Sequence, residues 1–94
     1  MNALSRIPEG HFEHKLAPRI LLVDDDHRIS SLLAEFLNKN GCRVTTAENA
    51  IGARRKMSEI EFDLLILDVM LPGENGISLA SSLRGKDDDV PILM

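Results

Sequence analysis

Tryptophan and tyrosine are absent from the sequence, and its 94 residues include only three phenylalanines. Aliphatic side chains must therefore supply almost all of the core of a chain this short, which suffices for one domain or part of one. The single cysteine, Cys42, excludes an intrachain disulfide and suits a reducing compartment. Because it has no partner cysteine, its thiol is predicted to be structural and at least half-buried.

Long apolar runs are also missing. No stretch approaches the roughly 20 apolar residues that cross a bilayer, and the N-terminus lacks the apolar segment of a signal peptide. We therefore expect a cytoplasmic protein without membrane contact. The formal net charge of −4 argues against direct nucleic-acid binding, which needs a clustered basic surface. The basic cluster at residues 54–56 is interpreted as a solvated helix face.

Residues 1–18 show no clean period and are interrupted by two prolines and a glycine. They are predicted to form an N-terminal extension, for which a flexible segment is one interpretation, ahead of a domain over residues 19–94. His11 and His14 lie three residues apart and would share a helix face. No further ligands accompany them, so a metal site is not expected there.

Hydrophobic patterns predict seven elements over the remaining residues. Short apolar or β-branched runs predict strands, and spacings of three and four between apolar residues predict helices. The predicted strands are residues 19–23, 43–47, 64–67 and 90–94, with a helix in each interval. This β-α-β-α-β-α-β order predicts an α/β fold, a doubly wound parallel sheet with right-handed crossovers and helices on both faces.

The helices carry more specific signals. Asp26 is the predicted N-cap of the first helix, and Gly41 is its predicted left-handed terminator. In the third helix, Ile77, Ala80 and Leu83 are predicted to face inward. The first helix has an apolar stripe at helical spacing, formed by Ile29, Leu32, Leu33, Phe36 and Leu37.

Two of the apolar strands end in acid. Asp24 and Asp25 follow the first, and Asp68 follows the third. Ligands of open α/β sheets bind beyond the carboxyl ends of the strands, so these carboxylates converge if the two strands are neighbours. Like charges so close repel, and a hard divalent cation such as Mg²⁺ relieves the repulsion. A purely structural cluster stays open, since an Asp after a strand is often a turn former or helix cap, as we interpret Asp26.

These segments resemble the receiver domains of two-component response regulators. Residues 20–26, ILLVDDD, are similar to the first strand and acidic turn of that family. Residues 62–76, FDLLILDVMLPGENG, are similar to its phosphoacceptor strand and following loop, and residues 90–94, VPILM, to the start of its fourth strand. The resemblance covers residues 19–94 and is greatest to the receivers of OmpR-like winged-helix transcriptional regulators. It implies a flavodoxin-like fold with strand order 2-1-3-4-5.

The resemblance also implies roles for individual residues. Asp68 would be the acceptor that takes a phosphoryl group from a histidine kinase. Asp25 would bind Mg²⁺ directly, together with Asp68 and the backbone carbonyl of Met70, and Asp24 would hold the ion through water. Such a module is not a turnover enzyme, because at most it catalyses its own phosphorylation and dephosphorylation. It would control an output in the parent protein, which is transcription in the winged-helix group.

The family pattern continues beyond Met94 with a Ser or Thr, a fourth helix, a fifth strand bearing a Lys, and a fifth helix. The resemblance therefore implies a partial receiver domain in which the last α-β-α is missing. The fourth strand would then be an open sheet edge, and the sheet face and the first helix, which the fifth helix normally covers, would be exposed. Exposed edges and apolar surfaces invite pairing, so we expect the chain to self-associate there.

Two alternatives to a phosphorylated receiver stay open. A phosphatase or phosphotransferase with an aspartyl intermediate also places an Asp after a strand. Haloacid-dehalogenase-like enzymes carry a second Asp two residues later, however, where this chain has Met70. The other alternative is a receiver-like interaction module that is never phosphorylated. The missing Ser or Thr and the missing Lys leave it open for this fragment, whereas the intact acidic pair together with Asp68 argues against it for the parent protein. Nucleotide binding is not expected, because no Gly-rich phosphate loop follows any strand.

Overall fold

The computed structural model describes residues 17–94. Residues 1–16 of the predicted extension, including His11 and His14, lie outside the described residues, and the domain boundary at residue 19 stays a prediction. No helix within residues 17–94 combines the length and the hydrophobicity of a membrane-spanning segment.

Seven elements alternate along the chain in the predicted order. They are β1 (Arg19–Val23), α1 (His27–Lys39), β2 (Arg43–Ala47), α2 (Ala50–Glu59), β3 (Leu64–Leu67), α3 (Gly76–Gly85) and β4 (Ile92–Leu93). The four strands form one sheet in the order β2-β1-β3-β4, and every pairing is parallel. The predicted α/β fold is therefore confirmed, and β1 lies directly beside β3.

The fourth strand is shorter than predicted. Ile92 and Leu93 pair with β3, whereas Val90 is buried without joining the strand. The carbonyl of Pro91 still accepts a hydrogen bond from the backbone N–H of Leu65 at 2.9 Å. Proline has no N–H to donate to a ladder, which explains why regular pairing begins only after it.

The main core lies between the sheet and the helices α2 and α3. Leu21 of β1 and Leu65 of β3 are fully buried partners in the sheet register, and Leu79 of α3 is fully buried in the same cluster. Ala50 and Ala53 provide the buried face of α2, and their small side chains let that helix lie close to the strands. Burial of these aliphatic groups is the main stabilising contribution in a chain with so few aromatic residues.

The inward face of α3 is rotated from the predicted one. Ile77, predicted to face inward, is 56% exposed, so that prediction is wrong, whereas Leu79 is fully buried. Leu83 is buried and Ala80 packs against the core, as predicted. The reason lies at the start of the helix, where Gly76 is buried against the backbone after β3. Because each helical residue turns by about 100°, burial of Gly76 directs the next position toward solvent.

Both predicted ends of α1 are confirmed. Oδ1 of Asp26 accepts hydrogen bonds from the backbone N–H groups of Arg28 at 3.0 Å and Ile29 at 3.4 Å. The side-chain hydrogen bond from Arg28 contributes most to holding the pKa of the Asp26 carboxyl below its ordinary value. After the helix, Gly41 takes a φ of 89°, in the left-handed region that glycine occupies without strain. Cys42 is buried as predicted, and that burial raises the pKa of its thiol.

Helix α1 leaves much of its apolar stripe in solvent. Ile29, Leu32 and Phe36 are 53%, 70% and 53% exposed, and we call these three residues the α1 apolar face. Leu33 and Leu37 are half-buried. An uncovered apolar surface on the first helix is what the resemblance implied, and it contrasts with the well-packed side of the sheet under α2 and α3.

Candidate metal centre

The acidic residues meet because β1 and β3 are parallel neighbours in register. Val23 pairs with Leu67, so the residues that follow, Asp24 and Asp68, leave the sheet side by side. The backbone N–H of Asp68 donates to the carbonyl of Val23 at 2.9 Å, and that of Asp24 donates to the carbonyl of Ala47 at 3.0 Å. These bonds extend the sheet ladder to the first residue of each loop and hold both acids at its carboxyl edge.

Three carboxylates converge at this edge. Asp24, Asp25 and Asp68 each offer an oxygen, and these oxygens all lie within 4.8 Å of one another. Asp24 and Asp68 are half-buried, whereas Asp25 is exposed. Asp26 is not part of the cluster, because its carboxylate caps α1 as predicted. The structure therefore brings together the three carboxylates that the sequence singled out, and their roles toward a metal and a phosphoryl group stay predictions.

Local hydrogen bonds orient two of the three acids. Oδ1 of Asp24 accepts from the backbone N–H of Asp26 at 2.8 Å, and Oδ1 of Asp68 accepts from that of Met70 at 3.0 Å. Both contacts are Asx turns, in which an Asp side chain bonds the backbone two residues on. Met70 therefore borders the cluster through its backbone, while 80% of its surface is exposed.

The donor set suits a hard divalent cation. Within residues 17–94, none of the three carboxylates is paired with a lysine, arginine or histidine. Uncompensated negative charges so close together repel one another, and a cation removes that repulsion. Carboxylate oxygens are the ligands that Mg²⁺ prefers, and it uses only one or two of them while keeping several waters. The residues present therefore fit a Mg²⁺ ion.

Gly76 lets the start of α3 lie directly against the backbone of Asp68. Its N–H donates to the carbonyl of Val69 at 3.0 Å, and it is buried at the start of α3. A Cβ atom at this position would lie 3.0 Å from the carbonyl carbon of Asp68 and closer still to its oxygen. The close approach of the helix to the backbone of Asp68 appears only in three dimensions.

A second feature that the sequence missed links α2 to the loop after Asp68. Arg54 forms an ion pair with Glu74, and a hydrogen bond of 2.8 Å from its Nη2 makes the pair bidentate. Nη2 also donates to Oγ of Ser82 at 2.9 Å, and Oγ of Ser78 donates to Oε2 of Glu74 at 3.1 Å. We call these four residues the Arg54 network. The interpretation of residues 54–56 as a solvated face is therefore wrong for Arg54.

The ion pair shifts the pKa of both partners. The guanidinium of Arg54 holds the pKa of the Glu74 carboxyl below its ordinary value, and the carboxylate raises the pKa of Arg54. The two residues lie 20 positions apart, on α2 and on the loop before α3. No periodicity in the sequence links positions with that separation, which explains why only the packing reveals the pair.

Comparison with known proteins identifies the relatives of this arrangement. The family model of the response regulator receiver domain matches residues 20–94. Protein PetR of Rhodobacter capsulatus is 54% identical over 69 residues, which are 73% of this chain and 29% of PetR. Transcriptional regulatory protein PrrA of Mycobacterium leprae is 37% identical over 76 residues, which are 81% of this chain and 33% of PrrA. The chain thus spans a third or less of these two curated relatives.

The same similarity holds in three dimensions. The crystal structure of the response regulator TrrA from Thermotoga maritima, in complex with Mg²⁺ and BeF, superposes with a TM-score of 0.74 at 41% sequence identity. The match covers 80% of this chain and 65% of the TrrA chain. The fold with three helices around four parallel strands is therefore a receiver fold.

Proposed function

Because this chain belongs to the response regulator receiver domain family, we propose that Asp68 accepts a phosphoryl group from a histidine kinase in a two-component system. The observation that carries the proposal is the convergence of Asp24, Asp25 and Asp68 beyond the ends of β1 and β3. PrrA, a similar protein, is a transcriptional regulator. Transcription is therefore the output that we propose for the parent protein.

In this proposal Asp25, Asp68 and the backbone carbonyl of Met70 bind Mg²⁺ directly, and Asp24 holds it through water. When bound, the ion neutralises charge on the phosphoryl oxygens and on the carboxylates. A carboxylate oxygen of Asp68 attacks phosphorus, so that an O–P bond forms while the P–N bond of the donor phosphohistidine breaks. The electron pair of that bond leaves on the imidazole nitrogen. Since Asp68 attacks as a carboxylate, no proton has to be removed from it.

The remaining properties follow from the same role. The module does not turn over a substrate, because the product is its own acyl phosphate. Its partner is the kinase, and residues 19–94 do not themselves contact nucleic acid, in keeping with the net charge of −4. We propose that it acts in the cytoplasm, a compartment in which the free thiol of Cys42 stays reduced.

Intact-mass measurement after incubation with Mg²⁺ and a small acyl phosphate tests the acceptor role. We expect one phosphoryl adduct on the native chain, no adduct without Mg²⁺, and no adduct on Asp68→Asn. Asp26→Asn is the matched control, because it removes a neighbouring charge while asparagine still caps α1. A folded native chain that acquires no adduct would instead support the interaction module that is never phosphorylated. Steady release of phosphate from an ester would support the enzyme alternative.

We also propose that the chain self-associates through the β4 edge and the α1 apolar face. β4 is an edge strand, and Leu93 on it is 57% exposed. Unpaired strand edges and contiguous apolar surface both favour association. Light scattering at high micromolar concentration is expected to show species larger than a monomer, and Leu32→Glu or Leu93→Lys should reduce them. A monodisperse monomer across the concentration series would contradict this proposal.

A further inference from the structure

We propose that Arg54 is a positioning residue for the Asp68 site. By holding Glu74, it fixes the β3–α3 loop, residues 69–75, whose backbone borders the acceptor carboxylate. Arg54 does not belong to the acidic cluster itself. The inference rests on the proposed function, and it assigns to an arginine of α2 a role in magnesium binding and phosphoryl transfer.

The contacts of Arg54 define the orientation of the loop residue that it holds. Its two terminal nitrogens reach both carboxylate oxygens of Glu74, and the pair is about two-thirds buried, with side-chain exposures of 35% and 29%. A planar guanidinium that bonds a carboxylate through two parallel N–H groups fixes direction as well as distance. The additional bond to Ser82 ties the same guanidinium to α3. Arg54 therefore joins α2, the loop and α3 at one point.

The backbone that carries Arg54 is packed against the core. Ala53, the preceding residue, is fully buried against the core, and Ala50 is buried one turn earlier. The N-terminus of α2 is capped by Asn49, whose side chain accepts from the N–H of Gly52 at 2.8 Å. Helix α2 is thus anchored on the core independently of the Arg54 pair, and we expect the loop to be the element whose position depends on that contact.

Apart from Arg54, the loop is held mainly near its ends. Oδ1 of Asn75 accepts a hydrogen bond from the backbone N–H of Ser78 at 2.8 Å, and Oγ of Ser78 donates to Glu74 at 3.1 Å. At its start, the N–H of Met70 bonds the carboxylate of Asp68, and at its end Gly76 bonds the carbonyl of Val69. Between them Leu71 is buried, whereas Met70 and Gly73 are exposed. Gly73 has a φ of 78°, and a Cβ there would meet nothing within 4 Å. Ser78 lies on α3 only four residues from Glu74, so among these contacts only the pair to Arg54 ties the exposed part of the loop to α2. Without that pair we expect Glu74 and the backbone between it and Met70 to be held less firmly.

Magnesium titration by isothermal calorimetry is the first test. Arg54→Gln is expected to weaken magnesium binding about tenfold, the lower end of the range for residues that orient metal ligands. Arg55→Gln is the matched control, because it removes the same charge from the next residue, which is exposed, and we expect it to leave the affinity unchanged. Arg54→Lys should fall between them, since an ammonium group cannot bond a carboxylate as a planar fork.

Hydrogen exchange without magnesium is the second test, and it does not depend on the activity of the loaded site. In Arg54→Gln we expect faster exchange in peptides that span residues 69–76 and unchanged exchange in β1. The charge swap Arg54→Glu with Glu74→Arg should restore slow exchange and most of the magnesium affinity. We also expect the rate of adduct formation with the acyl phosphate to fall in parallel with the magnesium affinity across these variants.

The outcomes separate this inference from the proposed function. If the native chain binds no magnesium and forms no adduct, the proposed function fails and the inference fails with it. If the native chain does both and Arg54→Gln matches it in affinity and in loop exchange, only the inference is overturned. A variant that unfolds at lower urea concentration but keeps native magnesium affinity would show that Arg54 serves stability alone, which also overturns it.

Discussion

Replacement of Gly76 by alanine is expected to lower the free energy of unfolding by about 3 kcal/mol, the upper end for overpacking a tight site. The added methyl group would lie 3.0 Å from the carbonyl carbon of Asp68 and about as close to Cα of Val69. Both are backbone atoms, so relief of the clash requires moving either α3 or the segment that carries Asp68. The same variant should therefore also lose most of its phosphoryl uptake.

Urea unfolding followed by far-ultraviolet circular dichroism measures this effect, since the chain has no tryptophan or tyrosine to report by fluorescence. Gly85→Ala provides a matched control at the other end of α3, because a Cβ at Gly85 meets nothing within 4 Å. We expect that variant to be as stable as the native chain or slightly more stable, because alanine is the better helix former. Equal stability of Gly76→Ala and Gly85→Ala would contradict the close packing of α3 on the backbone of Asp68.

Asp25→Asn is expected to change stability in opposite directions without and with magnesium. Without divalent cations, the substitution removes one of three negative charges whose oxygens lie within 4.8 Å of one another. Two unit charges at that separation repel by on the order of 1 kcal/mol in a water-like environment, which suits an exposed residue. The variant should therefore unfold at higher urea concentration than the native chain under these conditions.

With magnesium bound, we expect the native chain to be more stable than Asp25→Asn. A ligand at one hundred times its dissociation constant stabilises a folded protein by about 2.7 kcal/mol. We expect the variant to lose most of that stabilisation, because Asp25 is a proposed direct ligand. Urea unfolding in the presence of a chelator and in excess MgCl₂ measures the difference in unfolding free energy between Asp25→Asn and the native chain without and with magnesium. Asp26→Asn, outside the cluster, should respond to magnesium as the native chain does. If magnesium stabilises Asp25→Asn as strongly as the native chain, Asp25 is not a ligand.

The helix faces show the limit of pattern reasoning in this chain. Periodicity located all three helices, but in α3 it favoured Ile77 over Leu79 as an inward residue, and the structure exposes Ile77. A helical spacing of three and four is satisfied by two overlapping sets of positions in such a short helix. Which set of positions is buried depends on how closely Gly76 approaches the backbone after β3. That distance is set by the packing of α3 against the sheet and not by the helix alone.

Some features of the candidate site could likewise be predicted from the sequence, and others could not. The apolar runs predicted that Asp24, Asp25 and Asp68 follow buried strands, and the parallel topology implied that they share one edge of the sheet. That they lie within 4.8 Å of one another required β1 and β3 to be neighbours, which the strand order decided. Arg54 was interpreted as a surface charge, because its partner Glu74 is remote in sequence and reaches it only when α2 and the loop pack together.

Local chemistry and short-range periodicity account for the seven elements, the parallel α/β architecture, the two caps of α1 and the positions of the acidic residues after buried strands. These features could therefore be predicted from the amino-acid sequence. The buried face of α3, the close approach of Gly76 to the backbone of Asp68 and the pairing of Arg54 with Glu74 became apparent only from the packed structure. These features depend on contacts between distant segments, whose geometry is set by the packing of whole elements against one another.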